Sequence, residues 1–94
     1  MNKRQIVLLV EDDENDIELT LSALDEKNLA NRVDITRDGE QALDYLHRKG
    51  QFKDRPSGNP LVVFLDLKMP KVDGLEVLKH IKSDENLRLI PVVV

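Results

Sequence analysis

The stretch Leu61-Val62-Val63-Phe64-Leu65-Asp66 runs five apolar residues directly into one carboxylate. An apolar run this short, bounded by turn residues, predicts a strand that is buried on both faces, as in parallel sheets. Asp66 then lies at the carboxyl end of a central strand, which is where open α/β sheets bind their ligands. The stretch therefore predicts an α/β fold with a ligand site at Asp66.

A second apolar run, Ile6–Val10, ends in Glu11-Asp12-Asp13. Two parallel strands that end side by side would gather Glu11, Asp12 and Asp66 in one crevice, where their mutual repulsion requires a cation or a raised pKa. Oxygen ligands without nitrogen or sulfur suit Mg²⁺, which keeps positions open for phosphate oxygens. A carboxylate beside such a metal can act as a nucleophile toward a phosphoryl group.

Strands and helices are predicted to alternate along the chain. Such an order indicates a parallel sheet with right-handed crossovers and helices on both faces. Strands are expected at 6–10, 32–36, 61–66 and 90–94, and helices from 13 or 14 to about 27, from 40 to about 48 and from 75 to 83. Val33 and Ile35 alternate with polar neighbours, which suits an edge strand. Gly50 is expected to end the second helix and 51–60 to form a long exposed loop. The inward-facing residues of the three helices are predicted to be Ile17, Leu21 and Leu24; Ala42, Leu43 and Leu46; and Leu75, Leu78 and Ile81.

The composition is that of a small globular domain. The 94 residues are 40% hydrophobic and 34% charged, with a net charge of −4 and no cysteine. The absence of cysteine excludes disulfides, thiolate zinc sites and cysteine nucleophiles. The acidic balance argues against direct binding of nucleic acid. The first residues are polar and basic and lead into an apolar run too short for a signal peptide or a membrane span, so we expect a cytoplasmic protein with no membrane partner.

The chain stops on Val92-Val93-Val94, inside the fourth predicted strand. A natural domain seldom ends on three valines with no polar residue to close them, so we expect 1–94 to be a single domain that is incomplete at its C-terminus. An apolar strand left unpaired at a sheet edge invites another chain. A homodimer or a strand-exchanged assembly is therefore expected.

Four motifs in order make the chain similar to the receiver domain of two-component response regulators, the CheY-like superfamily. They are Val10-Glu11-Asp12-Asp13, Asp38-Gly39-Glu40-Gln41-Ala42, Leu65-Asp66-Leu67-Lys68-Met69-Pro70 with Asp73-Gly74, and Ile90-Pro91-Val92-Val93-Val94. The resemblance implies a flavodoxin-like doubly wound sheet with strand order 2-1-3-4-5, cut within strand four so that strand five and the last two helices are absent. The long loop before the third strand resembles stand-alone receivers paired with phytochrome-type kinases.

The resemblance also implies a role for each acid of the crevice. Asp66 would be the phosphoacceptor for a sensor histidine kinase or phosphotransfer protein. Asp12 would bind Mg²⁺ directly, Glu11 would act through water, and the backbone carbonyl of Lys68 would be a further ligand. The domain would not be an enzyme beyond assisting its own phosphorylation and dephosphorylation. Receivers carry a Ser or Thr beyond strand four and a Lys after strand five; both positions lie past Val94, so a metal site without the switch is expected.

Several motif residues also have purely structural explanations. Asp13 and Glu14 suit a helix N-cap, Asp38-Gly39 and Asp73-Gly74 suit turns, and Pro70 and Gly74 would shape the loop after the acceptor. The side chain of Lys68 is expected to face solvent. His47 and His80 are expected to be surface residues, because neither has a second histidine at ligand spacing.

Two other functions compete with phosphotransfer. An aspartate-nucleophile phosphohydrolase usually places a second acid two residues after the nucleophile, where this chain has Lys68, and needs a substrate-covering cap. A degenerate receiver acting only as a protein-binding module would have lost the acids that this chain keeps. Flavin binding is disfavoured because the turn after strand one is acidic and would repel a phosphate.

Overall fold

Four parallel strands and three α-helices alternate along the part of the chain that the computed structural model describes, residues 6–28, 32–56, 58–69 and 72–94. The alternation predicted from the hydrophobic pattern is confirmed. The elements are β1 (Ile6–Val10), α1 (Glu14–Glu26), β2 (Arg32–Thr36), α2 (Gly39–His47), a 3₁₀ turn (Gly50–Phe52), β3 (Val62–Leu65), α3 (Gly74–Ser83) and β4 (Val92–Val93).

The strands lie in the order β2-β1-β3-β4, and every pairing is parallel. This confirms the doubly wound α/β fold and the position of β2 at a sheet edge. Two backbone hydrogen bonds continue the sheet just past the strand ends: Glu11 N–H donates to the Thr36 carbonyl and Asp66 N–H to the Val10 carbonyl, both at 3.0 Å. The acidic residues after β1 and β3 are therefore held at the same edge of the sheet.

The largest part of the core lies between one face of the sheet and helices α2 and α3. Leu8, Val10, Val63 and Leu65 supply the sheet side of this core. The helices and the segment before β4 complete it with Ala42, Tyr45, Leu46, Val77, Ile81, Leu87 and Ile90. Helix α1 lies on the other face of the sheet, where its Thr20 lines a groove together with Leu9 and Phe64. No helix within the described ranges is long and apolar enough to cross a membrane.

Burial departs from the sequence prediction at two elements. Strand β3 is fully buried only through Val63 and Leu65, whereas Val62 and Phe64, which point to the opposite face of the sheet, are partly exposed. Leu75, predicted to face inward, is 49% exposed. The inward stripe of α3 instead runs through Gly74, Val77 and Ile81, whose spacing of three and four residues keeps them on one face.

The segment between α2 and β3 is more ordered than an exposed loop. Helix α2 ends on Arg48 in the left-handed conformation, and Gly50 begins the 3₁₀ turn instead of ending the helix. The Phe52 ring packs edge-on against Tyr45, and the Arg55 guanidinium lies 4.1 Å above the Tyr45 ring. Arg55 Nε also donates to the Tyr45 carbonyl at 3.0 Å. These contacts explain why the predicted loop is partly packed.

Three smaller predictions concern individual residues. Asp13 is the N-cap of α1, as predicted. Helix α1 ends at Glu26 with Lys27 at the C-cap, in agreement with the predicted end near residue 27. Pro70 lies outside the described residues, so its predicted role in the loop remains a prediction.

Tyr45 joins α2 to β2 through one short hydrogen bond. Its side chain is 1% exposed, and its hydroxyl donates to Asp34 Oδ2 at 2.5 Å. Asp34 Oδ1 accepts a second bond from Arg32 Nε at 2.6 Å. Burial, followed by the bond to Asp34, raises the pKa of Tyr45 well above the usual value for tyrosine.

We expect the free energy of unfolding to fall as the pH rises above about 10. Tyr45 in the unfolded chain ionises near pH 10, whereas the folded chain keeps the proton, so each further pH unit costs at most about 1.4 kcal/mol. Chemical denaturation at about pH 9 and about pH 11 measures the loss. The Tyr45→Phe variant, which has no proton to lose, should lack this component.

Spectroscopy provides a direct check, because Tyr45 is the only tyrosine in the sequence. Phenolate absorbance should appear together with unfolding and not before it. Phenolate that forms near pH 10 in the folded protein would contradict the expectation.

Candidate functional site

Three carboxylates converge where β1 and β3 end. Glu11, Asp12 and Asp66 each offer an oxygen, and these oxygens all lie within 4.8 Å of one another. Glu11 and Asp66 are partly buried, whereas Asp12 is exposed. The structure therefore brings together the three acidic side chains that the sequence assigned to one crevice. We call this group, Glu11, Asp12 and Asp66, the acid crevice.

Asp66 is held in place by the turn that follows it. Its Oδ1 accepts the Lys68 backbone N–H at 3.0 Å, and Gly74 N–H donates to the Leu67 carbonyl at 3.2 Å. Gly74 lies so close that a Cβ atom built on it would be 2.2 Å from the Asp66 carbonyl oxygen. The start of α3 thus fits directly against the backbone of the candidate acceptor.

The acids beside the crevice act as helix caps. Asp13 Oδ1 accepts the Asp16 N–H at 3.1 Å at the start of α1, and Asp38 Oδ1 accepts the Gln41 N–H at 2.8 Å at the start of α2. Asp73 Oδ1 accepts the Glu76 N–H at 3.0 Å at the start of α3. Asp13 is an N-cap, as predicted, and Asp38 and Asp73, which were predicted as turn residues, are N-caps as well.

Proximity to Asp66 changes the acidity of Glu11. Burial, followed by a side-chain hydrogen bond to Asp66 and the charge of Asp66, raises the pKa of Glu11 to about 7. The bond from Asp13 N–H to Glu11 Oε2 at 3.4 Å acts in the opposite direction and is outweighed. Glu11 therefore gives up its proton less readily than an exposed glutamic acid, because burial and the neighbouring Asp66 both disfavour its charged form.

A groove of about 420 Å³ opens beside the acid crevice. Glu11, Asp66 and Lys68 line its polar end, and the other lining residues, most of them apolar, are Leu9, Thr20, Phe64, Leu65, Leu67, Val93 and Val94. The side chain of Lys68 is exposed, as predicted. Solutes can therefore reach Asp66 directly from solvent.

The sequence profile of the response regulator receiver domain matches residues 7–94 of this chain. The chain belongs to the response regulator receiver domain family. This confirms the resemblance seen in the four sequence motifs.

Two curated relatives show how far the similarity of the receiver domain extends. The probable methanogenesis regulatory protein FilR2 of Methanothrix harundinacea (strain 6Ac) is 46% identical over 91 residues, 95% of this chain and 56% of the relative. Response regulator Rcp1 of Synechocystis sp. (strain ATCC 27184 / PCC 6803 / Kazusa) is 39% identical over 93 residues, 99% of this chain and 62% of the relative. The chain thus spans less than two thirds of the length of either relative.

Solved structures agree with the fold of the receiver domain. The bacteriophytochrome response regulator RtBRR is 57% identical with a TM-score of 0.92, covering 96% of this chain and 54% of that one. The phosphorylated cyanobacterial phytochrome response regulator RcpA is 40% identical with a TM-score of 0.85, covering 96% and 63%. The Mn²⁺-bound form of Rcp1 is 38% identical with a TM-score of 0.85, covering 94% and 62%. The predicted likeness to phytochrome-associated regulators is confirmed.

The receiver domain also has a histidine contact that the sequence analysis missed. His47 Nε2 and His80 Nε2 lie 2.7 Å apart, and both residues are partly buried. Neither histidine has a second histidine at ligand spacing in the sequence, but the two side chains face each other and are partly buried, which differs from the surface position predicted for each. The two residues are 33 positions apart and meet only because α2 packs beside α3, so no local spacing could have indicated the contact.

Proposed function

We propose that Asp66 accepts a phosphoryl group from a histidine kinase or a phosphotransfer protein, with Mg²⁺ bound in the acid crevice. The observation that carries the proposal is the convergence of Glu11, Asp12 and Asp66 at the ends of β1 and β3. Acidic oxygens packed this closely repel one another, and a divalent cation relieves the repulsion while leaving room for phosphate oxygens. The protein would act in the cytoplasm as a two-component signalling partner.

The donors of the acid crevice fit Mg²⁺. They are all hard oxygens, and the raised pKa of Glu11 indicates a position where further negative charge is disfavoured and a cation is favoured. Asp12 and Asp66 would bind the metal directly, together with the backbone carbonyl of Lys68, and Glu11 would act through water. When bound, the ion would neutralise charge on the incoming phosphoryl group. The proton held by Glu11 would leave as the metal enters.

The chemistry at Asp66 follows from how its two oxygens are held. Lys68 N–H donates to Oδ1, which orients the carboxylate and leaves the other oxygen to act as nucleophile. That oxygen would form a bond to phosphorus as the phosphorus–nitrogen bond of the donor phosphohistidine breaks, and the donor imidazole would keep the electron pair and take up a proton. The product is an aspartyl phosphate on this chain and a free histidine on the donor.

The site fits the acceptance of a single phosphoryl group better than the repeated hydrolysis of phosphate esters. Two residues after Asp66, where an aspartate-nucleophile hydrolase needs its second acid, the structure has the exposed Lys68. The acid that helps the leaving group depart is therefore missing at that position. We accordingly propose a signalling protein and not an enzyme.

Intact-mass spectrometry after incubation with acetyl phosphate and Mg²⁺ tests the proposal. Because the chain spans less than two thirds of its curated relatives, the protein should be made with whatever residues its gene encodes after Val94. We expect the mass to rise by one phosphoryl group, and hydroxylamine, which cleaves acyl phosphates, to remove it. A chelator added at the start should prevent the adduct.

Two outcomes would overturn this function. One is the absence of any adduct in the presence of Mg²⁺. The other is the release of many equivalents of phosphate from a generic phosphate ester, which would favour the hydrolase.

A further inference from the structure

Three potential metal ligands meet where α2 and α3 end. His47 is the last residue of α2, His80 lies in the last turn of α3, and Asp84 is the C-cap of α3. One ligand atom from each lies within 4.8 Å of the others. All three side chains are partly buried, so they are partly shielded from solvent but can still be reached by an ion. We call this group, His47, His80 and Asp84, the histidine cluster.

The orientation of the side chains favours a shared ligand. The two imidazole rings are perpendicular, at 88°, and turn their Nε2 atoms toward the same point, 2.7 Å apart. His80 and Asp84 are four residues apart, so they lie on one face of α3. The Asn86 N–H donates to Asp84 Oδ1 at 2.7 Å and fixes this carboxylate at the end of the helix.

The electrostatic setting also favours a cation. The carbonyl groups at a helix C-terminus carry partial negative charge, and the histidine cluster lies at two such ends. Helices in a parallel α/β fold begin near the carboxyl ends of the strands and end near the opposite edge. The cluster is therefore at the far edge of the sheet from the acid crevice and shares no ligand with it.

We propose that His47, His80 and Asp84 form a binding site for a divalent transition-metal ion of the Zn²⁺ class, which ties α2 to α3. Two imidazole nitrogens and one carboxylate oxygen make a known zinc ligand set, with water in the fourth position. The same ligands suit Zn²⁺ far better than Mg²⁺, which prefers oxygen donors only. The sequence contains two histidines and no cysteine, so no other imidazole or thiolate in the chain can compete for the ion.

Binding of the ion requires the His47 and His80 side chains to move apart only slightly. Zinc–nitrogen bonds of about 2.0–2.1 Å at a tetrahedral angle separate the two nitrogens by about 3.3 Å. The Nε2 atoms, now 2.7 Å apart, would move apart by a rotation of side chains that are only partly buried. The metal would replace the direct hydrogen bond between the two rings with two coordinate bonds.

Titration of the untagged protein with Zn²⁺ in saturating Mg²⁺ tests the site, because Mg²⁺ competes with Zn²⁺ for the oxygen ligands of the acid crevice. Calorimetry should show one zinc equivalent, and the melting temperature should rise with zinc concentration. Co²⁺ in place of Zn²⁺ should give the visible absorption of a tetrahedral nitrogen–oxygen site. None of these three readouts depends on phosphorylation.

The His47→Gln and His80→Gln variants should each lose at least about 100-fold in zinc affinity, since even an outer-shell partner is worth 10- to 100-fold. The matched variant is Asp84→Asn, which can still accept the Asn86 N–H but removes the carboxylate; it should bind more weakly than wild type and retain the fold. Zinc affinity that is unchanged in both histidine variants would overturn the proposal, as would a wild-type protein that takes up no zinc.

If the histidine variants fail to fold, chemical modification of the wild type tests whether zinc binds the two histidines. Diethyl pyrocarbonate labels free imidazoles, and mass spectrometry of the peptides locates the label. Zinc should protect both His47 and His80. Equal labelling of the two histidines with and without zinc would overturn the site.

Discussion

The Asp66→Asn variant is expected to form no phosphoryl adduct with acetyl phosphate and Mg²⁺. An amide oxygen carries no negative charge to attack phosphorus and is a poor metal ligand, so both the nucleophile and one Mg²⁺ donor are lost. The shape is nearly unchanged, and the new side chain can still accept the Lys68 N–H that Asp66 Oδ1 accepts at 3.0 Å. Intact mass should therefore match the unmodified chain after an incubation that modifies the wild type.

The matched control is Asp13→Asn, which makes the same chemical change two residues from Glu11. Asp13 caps α1 by accepting the Asp16 N–H, and asparagine caps helices about as well as aspartate. This variant should be phosphorylated to within about twofold of wild type. An adduct that persists in Asp66→Asn, or that disappears in Asp13→Asn alone, would contradict the assignment of Asp66 as acceptor.

The Gly74→Ala substitution is expected to lower the free energy of unfolding by about 1–3 kcal/mol, the usual cost of forcing extra volume into a packed site. The added Cβ would lie 2.2 Å from the Asp66 carbonyl oxygen and 2.4 Å from the Leu67 Cα atom. Both are backbone atoms and cannot turn aside, so the loop or the start of α3 must move. In a helix without such contacts, glycine to alanine instead stabilises by about 0.4–1 kcal/mol.

Urea denaturation of Gly74→Ala and of Leu75→Ala provides the comparison. Leu75 is the next residue in α3 and is 49% exposed, so its truncation should change stability by no more than about 0.5 kcal/mol. Because the Gly74 variant displaces the backbone of Asp66, any folded fraction should also be phosphorylated more slowly. A Gly74→Ala protein that is more stable than wild type would show that the close approach does not constrain the loop.

The acid crevice was predictable because its residues are tied to strand ends. The first residue past a parallel strand is held by the sheet, so Glu11 and Asp66 are brought together by the strand pairing itself. The starts of the helices were equally predictable, since Asp13, Asp38 and Asp73 each cap a helix through a local hydrogen bond. The role proposed for the Lys68 carbonyl came from the family resemblance, because a backbone ligand would leave no mark in the side-chain pattern.

The features that escaped prediction depend on how helices are rotated and packed. Leu75 is one residue from the buried stripe of α3, and one residue is about 100° around a helix. The contact between His47 and His80 requires two helices to present the correct faces to each other. The order of the segment before β3 depends on Arg55 stacking on Tyr45, which involves no periodic pattern.

The raised pKa of Glu11 beside Asp66 has an evolutionary consequence. Burial of Glu11 beside Asp66 disfavours its charged form, so the folded chain gives up stability at the site that we propose for a metal and a phosphoryl group. Descendants released from signalling would be expected to drift toward neutral residues at these positions, and to gain stability as they do. The presence of all three acids of the acid crevice is therefore expected only where selection for their function continues.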